Sequence, residues 1–224
     1  MTSYGQFCPV AKAMELLDER WTILVVRELL LGSRHFNELR RGVPKMSPAL
    51  LTKRLRSLER AGVVRRAEVG GRSVYALTEK GEELTEVVTA LSSWGTRWIS
   101  ELGDADLDPH LLMWDIHRTI PIDRWPRRRT MVEFTFHDII GKAGSWWLVV
   151  SDGEAQVCDF DPGYDVDATV VTDLRTLTEV WRGDIDWRTG LLDDRITVLA
   201  PADVRRDVPE WIGQSTASAI PRPA

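Results

Sequence analysis

Cysteine is nearly missing from this chain. Two occur in 224 residues, Cys8 and Cys158, far apart in sequence. That excludes a disulfide framework and any cysteine-based zinc spacing. No stretch approaches the roughly eighteen consecutive apolar residues of a membrane span. The opening MTSYGQFCPV lacks the basic-then-apolar order of a secretory signal, so the expectation is a soluble cytoplasmic protein with no membrane partner. Signatures of catalysis are missing as well. His35, His110, His117 and His137 form no HExxH or paired-ligand spacing, and there is no glycine-rich phosphate loop and no G-x-S-x-G. The sequence reads as a non-enzyme with no metal and no cofactor.

What is present is an uneven charge. The net charge is −5, but residues 1–100 hold 16 Lys+Arg against 11 Asp+Glu, giving +5. Residues 101–224 hold 13 against 23, giving −10. Such asymmetry points to a polyanion meeting only the first half. The halves join at ELGDADLDPH, which has no apolar periodicity and reads as a linker over 101–109. The expected organisation is a first domain over 1–100, a second over 110–213, and a flexible polar tail over 214–224.

In the first half, Pro9 suits the opening position of a helix, where its missing N–H costs nothing. Trp21, Leu24, Val25, Glu28 and Leu29 recur at helical spacing up to Gly32, and Ser33 can cap a short helix bearing Phe36 and Leu39. Ser47-Pro48 is a stronger start signal, a cap residue followed by proline at the first helical position. From Pro48 to about Ala61, Leu51, Leu55 and Leu58 form one narrow apolar stripe. The opposite face is Ala49, Thr52, Lys53, Arg56 and Arg60. VVRRAEV and RSVYAL follow, joined by Gly70-Gly71, a pair suited to the positive φ angles of a tight hairpin. Thr78 can cap a last helix, in which Leu84, Val87, Leu91, Trp94 and Trp98 follow three-four spacing.

Two short helices joined by a turn, the second basic on its outer face and followed by a β-wing, make a winged helix-turn-helix. Arginines on one isolated helix face are ordinarily just solvated. Helix, wing and charge asymmetry together point to double-stranded DNA, with Ser47, Ala49, Thr52, Lys53, Arg56 and Arg60 at the groove and Arg65 and Arg72 of the wing, beside Arg66, near the backbone.

These residues also carry a resemblance. Cys8-Pro9-Val10, Trp21-Thr22, Arg27-Glu28-Leu29, Phe36-Asn37-Glu38-Leu39, Ser47-Pro48, Leu51-Thr52, Arg54-Leu55 and Leu77-Thr78-Glu79-Lys80-Gly81 closely resemble the HxlR-type family of bacterial winged-helix regulators over roughly residues 5–98. The resemblance implies a homodimer on a palindromic operator, with dimer contacts from the N-terminal segment and the helix after the wing. The stripe Leu84, Val87, Leu91, Trp94 and Trp98 fits either that seam or the domain's own core. It also implies a redox role for Cys8, since several members sense oxidants or electrophiles through a cysteine there. The positive end of a helix favours a thiolate; the alternative is a small apolar side chain at the dimer interface.

The second half reads as helix, four strands, two helices, strand, helix, an α+β domain with an antiparallel meander. Asp152-Gly153 marks a hairpin, Pro162-Gly163 leads into the fourth strand, and Asp173 can cap LRTLTEVWRG. The pattern from Thr172 to Ile212 resembles the C-terminal part of sterol carrier protein 2-like domains, which implies a pocket for a small hydrophobic ligand between sheet and helices. Seven of the ten tryptophans lie in this half; each could serve as a core filler, or the set could line such a pocket. The candidate lining is Trp114, Phe134, Phe136, Trp147 and Trp181. Arg127-Arg128-Arg129 reads most simply as a solvated loop. The expected function is a dimeric transcriptional regulator modulated by a hydrophobic ligand. The alternatives are redox control through Cys8 with the second half as scaffold, or a hydrophobic-ligand carrier.

Overall fold

The structure is a computed structural model that describes residues 3–99 and 101–222. The chain divides into two compact units, with the boundary between Trp94 and Gly95. In the first unit, α1 (Pro9–Leu17) and α2 (Thr22–Leu30) precede α3 (Phe36–Gly42) and α4 (Pro48–Arg60). A hairpin of β1 (Val64–Val69) and β2 (Arg72–Leu77) follows, then α5 (Glu79–Glu82) and α6 (Leu84–Trp98).

The local signals act as their chemistry requires. Pro9 and Pro48 open α1 and α4, and Ser47 Oγ accepts the Leu50 N–H at 3.3 Å. Gly70 and Gly71 turn the hairpin with φ of 57° and 74°, both in the left-handed region that a two-residue type I′ turn needs. Thr78 Oγ1 accepts the Gly81 N–H at 3.3 Å, but it caps the one-turn α5 and not the long helix expected there. Glu83 interrupts the two, and the Thr85 hydroxyl donates to Glu82 O at 2.6 Å. The core gathers Val25, Val26 and Leu29 of α2, Leu39 of α3, Leu51, Leu55 and Leu58 of α4, and Val64 and Leu77 of the hairpin.

The second unit is α+β. Its elements are α7 (Pro109–Thr119), β3 (Thr130–Phe136), β4 (Ser145–Ser151), β5 (Glu154–Cys158), β6 (Ala168–Thr172), α8 (Leu174–Arg182), α9 (Trp187–Leu192), β7 (Ile196–Leu199) and α10 (Ala202–Ile212). Strand order is β5-β4-β3-β6-β7. Three pairings are antiparallel, but β3 and β6 run parallel at the centre, so the sheet is not the meander the sequence suggested. The Pro162-Gly163 segment is a crossover that carries the chain from the edge strand β5 past β3. Asp167 completes it: its N–H donates to Met131 O at 2.9 Å and its carboxylate accepts the Met131 N–H at 2.8 Å. An alternating strand pattern reports which face is buried and says nothing about which strand lies alongside.

One sheet face buries Val132, Phe134, Phe136, Trp146, Leu148, Val170 and Val198 in a single core with Met113 and Ile116 of α7, Leu177 and Trp181 of α8, and Val208 and Ile212 of α10. Asp173 starts α8 by accepting the Thr176 N–H and hydroxyl at 2.8 and 2.6 Å. Burial pushes that carboxyl up, but the Thr176 bonds, its own backbone N–H and the Arg195 charge together outweigh burial and hold it below the ordinary carboxylate value.

Two segments expected to be loose are tied to the second unit. In the supposed linker, Asp104–Asp106 form a 3-10 turn, the Arg175 guanidinium donates to Leu102 O at 2.8 Å and pairs with Asp104, and Leu107 packs on the core. Beyond α10, the expected flexible tail is pinned as far as residue 222. Gln214 Nε2 donates to Val180 O at 2.9 Å, the Ser215 N–H to Trp181 O at 2.8 Å, and Arg222 Nη2 to Arg182 O at 3.0 Å, with Arg222 also paired to Asp184. Of these acceptors, the Trp181 and Arg182 carbonyls are ones the C-terminal end of α8 leaves open, while Val180 O also accepts the Gly183 N–H at 3.0 Å. Arg222→Ala is therefore expected to lower unfolding stability by roughly 1–3 kcal/mol, since a bond to a charged group in a mostly buried setting is lost. Urea unfolding of the full chain followed by tryptophan fluorescence reads it; an unchanged midpoint and slope would show the tail to be free.

Candidate DNA-binding surface

The candidate surface depends on how α3 and α4 are held. Glu38 Oε2 accepts the N–H groups of Arg34 and His35 at 2.7 and 3.0 Å, satisfying donors ahead of α3. Glu28 of α2 is fully buried, an unusual place for a carboxylate, and it is kept there by pairing. Arg27 donates to it through Nη2 at 2.5 Å and Nε at 3.1 Å, and reaches Gly42 O at 3.4 Å. The Glu28 carboxylate occupies the space that a β-carbon on Gly42 would need. Glycine at the end of α3 is thus a requirement of close approach.

Burial of the leucine stripe turns the other side of α4 to solvent. Ala49, Thr52, Lys53, Arg56 and Arg60 line one shallow trough along the helix, as the sequence pattern placed them. Thr52 Oγ1 donates back to Pro48 O at 3.0 Å, and Arg60 Nε donates to Arg56 O at 3.3 Å. Ser47 caps the helix with its oxygen, which leaves its hydroxyl proton free to donate. Glu59 lies in the same trough, a carboxylate among the basic residues. The helical wheel places it at the border of the basic face.

In the wing, register decides which arginines are available. Arg65 is opposite Ala76 and Val69 is opposite Arg72, so Arg65 and Arg72 share one face. Both are exposed. Arg66, named with them in the sequence reading, points to the other face. There it donates to Ser73 Oγ at 2.7 Å and pairs with Glu68 at 2.8 Å. Hydrogen bonds from Ser73 and Arg66 hold the Glu68 carboxyl below its ordinary value. Residues before α3 extend the wing: the Tyr75 N–H donates to Arg34 O at 2.8 Å, and His35 bridges Val74.

The other candidates sort unevenly. Leu84 packs against the first unit's core, whereas Val87, Leu91, Trp94 and Trp98 are exposed, the two tryptophans by 56% and 59%. Phe7, Val10 and Met14, before and along α1, are exposed too. Cys8 is half-buried at the N-cap of α1 and makes no side-chain cap bond there. In the second unit, Phe134, Phe136 and Trp181 are buried in the core, with Trp181 Nε1 donating to Asp115 at 2.9 Å, whereas Trp114 is buried apart from that core, its ring 4.3 Å from that of His117. Trp147 does not join them. It pairs with Glu133 across the sheet, so Trp146, opposite Phe134, is the tryptophan on the Phe134 face. The correction follows from strand parity, since adjacent residues point to opposite faces.

Relatives bear on the first unit. Residues 16–102 match the HxlR-like helix-turn-helix family. The helix-turn-helix transcriptional regulator YvaP of Bacillus subtilis is 40% identical over 99 residues, covering 42% of this chain and 92% of YvaP. The chain belongs to the HxlR-like family. A Synechocystis helix-turn-helix transcriptional regulator is 38% identical over 100 residues, 43% of this chain and 74% of its own length. Among solved structures, the reduced form of the regulator YodB from B. subtilis is 32% identical over 44% of this chain and all of its own, with a TM-score of 0.37. The HxlR-like match ends at residue 102, so it covers the helix-turn-helix and wing and leaves residues 103–224, most of the second unit, outside.

The packing of Gly42 gives a direct test. Gly42→Ala forces the buried Glu28 carboxylate out of its place against Arg27, and is expected to cost about 2–4 kcal/mol, in the range for overpacking combined with a disturbed buried charge. Equilibrium urea unfolding measures it. A loss below about 0.5 kcal/mol, typical of a surface change, would show that the pair tolerates displacement.

Proposed function

We propose that this HxlR-like transcriptional regulator is a homodimer that binds palindromic operator DNA. In this reading α4 lies in the major groove and the wing reaches the backbone beside it. The observation that carries it is the outward face of α4, where Thr52, Lys53, Arg56 and Arg60 stand together along one trough. Arginine and lysine there reach base edges, and Arg65 and Arg72 on one wing face supply phosphate contacts. The exposed Val87, Leu91, Trp94 and Trp98 of α6, with Phe7, Val10 and Met14, support a dimer seam, since apolar surface on that scale is unfavourable in water. Operator DNA selected from a random duplex library tests the reading. Arg56→Ala should cost roughly 1–3 kcal/mol on the selected site if it reads a base, whereas Arg72→Ala should weaken all sequences alike and lessen the salt dependence. Unchanged affinity in a Lys53→Ala/Arg56→Ala double variant would remove α4 as the reading helix.

The second unit, in the same proposal, is a sterol carrier protein 2-like domain whose hydrophobic ligand alters operator affinity. Support comes from its element order and its tryptophans. Because Phe134, Phe136 and Trp181 are packed in the core, ligand entry requires the helical layer to part from the sheet. Binding is therefore expected to shift tryptophan emission, and a tenfold change in operator affinity needs about 1.4 kcal/mol of coupling. Titrating the full chain, free and operator-bound, with a panel of fatty acids and aromatic hydrocarbons measures both. No emission change and no affinity change across the panel would leave the unit a scaffold.

A further inference from the structure

Arg54 belongs to α4 but not to its reading face. It lies beside the leucine stripe, and its side chain is only 10% exposed. A buried guanidinium is held by what it bonds, and both partners lie in the connection between α1 and α2. Arg54 Nη1 pairs with the Glu19 carboxylate, and Nε donates to Arg20 O at 3.0 Å. The next residue, Trp21, stands at φ of 79°, a left-handed conformation rare for a bulky residue, and starts α2. The same connection is tied at its other end, where Tyr4 Oη donates to Asp18 at 2.6 Å; Ser3 Oγ donates at 2.9 Å to Glu15 within α1. A line of directional bonds thus runs from the segment before α1, through residues 18–20, to the reading helix.

The leucine stripe and Arg54 constrain α4 differently. Leu51, Leu55 and Leu58 set how deeply the helix sits, but apolar contact is non-directional and resists sliding and tilting only through shape. A guanidinium bonded to a carboxylate and a carbonyl fixes both direction and position. We infer that Arg54 is a positioning residue for DNA recognition, which through Glu19 and Arg20 locks the reading helix to α1 and so sets the spacing between the two half-sites of the operator. The inference rests on the proposed homodimer and its DNA binding. In such a dimer, the distance between symmetry-related reading helices fixes the half-site separation. Phe7, Val10 and Met14 place α1 and the segment before it at the proposed seam, so the Arg54 bonds join seam to groove.

The test is selection from a random duplex library with the full-length wild type, Glu19→Gln and Arg54→Lys. Arg54→Lys keeps the charge but loses the fork that serves both acceptors, and Glu19→Gln keeps the shape and removes the ion pair. The wild type is expected to enrich paired half-sites at one spacing. Both variants should enrich the same half-site at several spacings and bind the wild-type duplex about tenfold more weakly, as for loss of a charged hydrogen bond. Retained spacing in both variants, with affinity either unchanged or uniformly reduced, would overturn the inference and leave Arg54 a stabilising residue only. If Arg54→Lys proves poorly folded by circular dichroism, Glu19→Gln decides alone. A wild type that enriches no sequence would overturn the DNA reading underneath, an outcome distinct from retained spacing.

Discussion

The orientation of one helix about its own axis governs this regulator's chemistry. At about 100° per residue, burying Leu51, Leu55 and Leu58 leaves α4 no choice but to present Ala49, Thr52, Lys53, Arg56 and Arg60 outward. Hydrophobic burial therefore aims the charges. A one-residue shift in the stripe would rotate lysine and arginine toward the core, where unpaired cations cannot stay. Two buried polar groups fix the helices around this arrangement. Glu28 fills the space that Gly42 vacates at the end of α3, and Arg54 reaches the α1–α2 connection only while the leucines hold their depth.

In the second unit, polar bonds fasten the crossover onto the sheet. The paired bonds between Asp167 and Met131 fasten the start of the parallel alignment beside β3, and Arg128 adds an ion pair to Asp167 at 2.7 Å. Of the Arg127-Arg128-Arg129 run, two members have defined roles: Arg128 in that pair, and Arg129 with its guanidinium 4.3 Å from the Tyr164 ring centroid. Cation–π contact and ion pairing make the loop part of the crossover's fastening.

Much of the first unit was legible because its signals are local. Ser47-Pro48, Gly70-Gly71 and the leucine stripe each act within a few residues, and each stands where its chemistry put it. The family resemblance drew on the same stretches. What escaped were bonds between residues distant in sequence. Nothing local in Arg54 says that it faces Glu19, and nothing in the polar tail says that Gln214 and Arg222 close the end of α8. Parity errors have a different origin. Trp146 and Trp147 are chemically alike, and only their register against Phe134 tells which faces the helices. Charge alone groups Arg66 with Arg65, although the wing's pleat separates them.

The strand order of the second unit also decides how safely it can exist in concentrated solution. Its flanks are β5 and β7, of five and four residues, so the unpaired amide and carbonyl rows offered to a neighbouring molecule are brief. Pro201, two residues past β7, has no N–H with which to prolong the outer row. Glu154 opens β5 with a charge. Short, charged or proline-ended margins are how natural sheets discourage edge-to-edge growth. The long, strongly apolar strands β3 and β4 are kept inside them, where they cannot template aggregation.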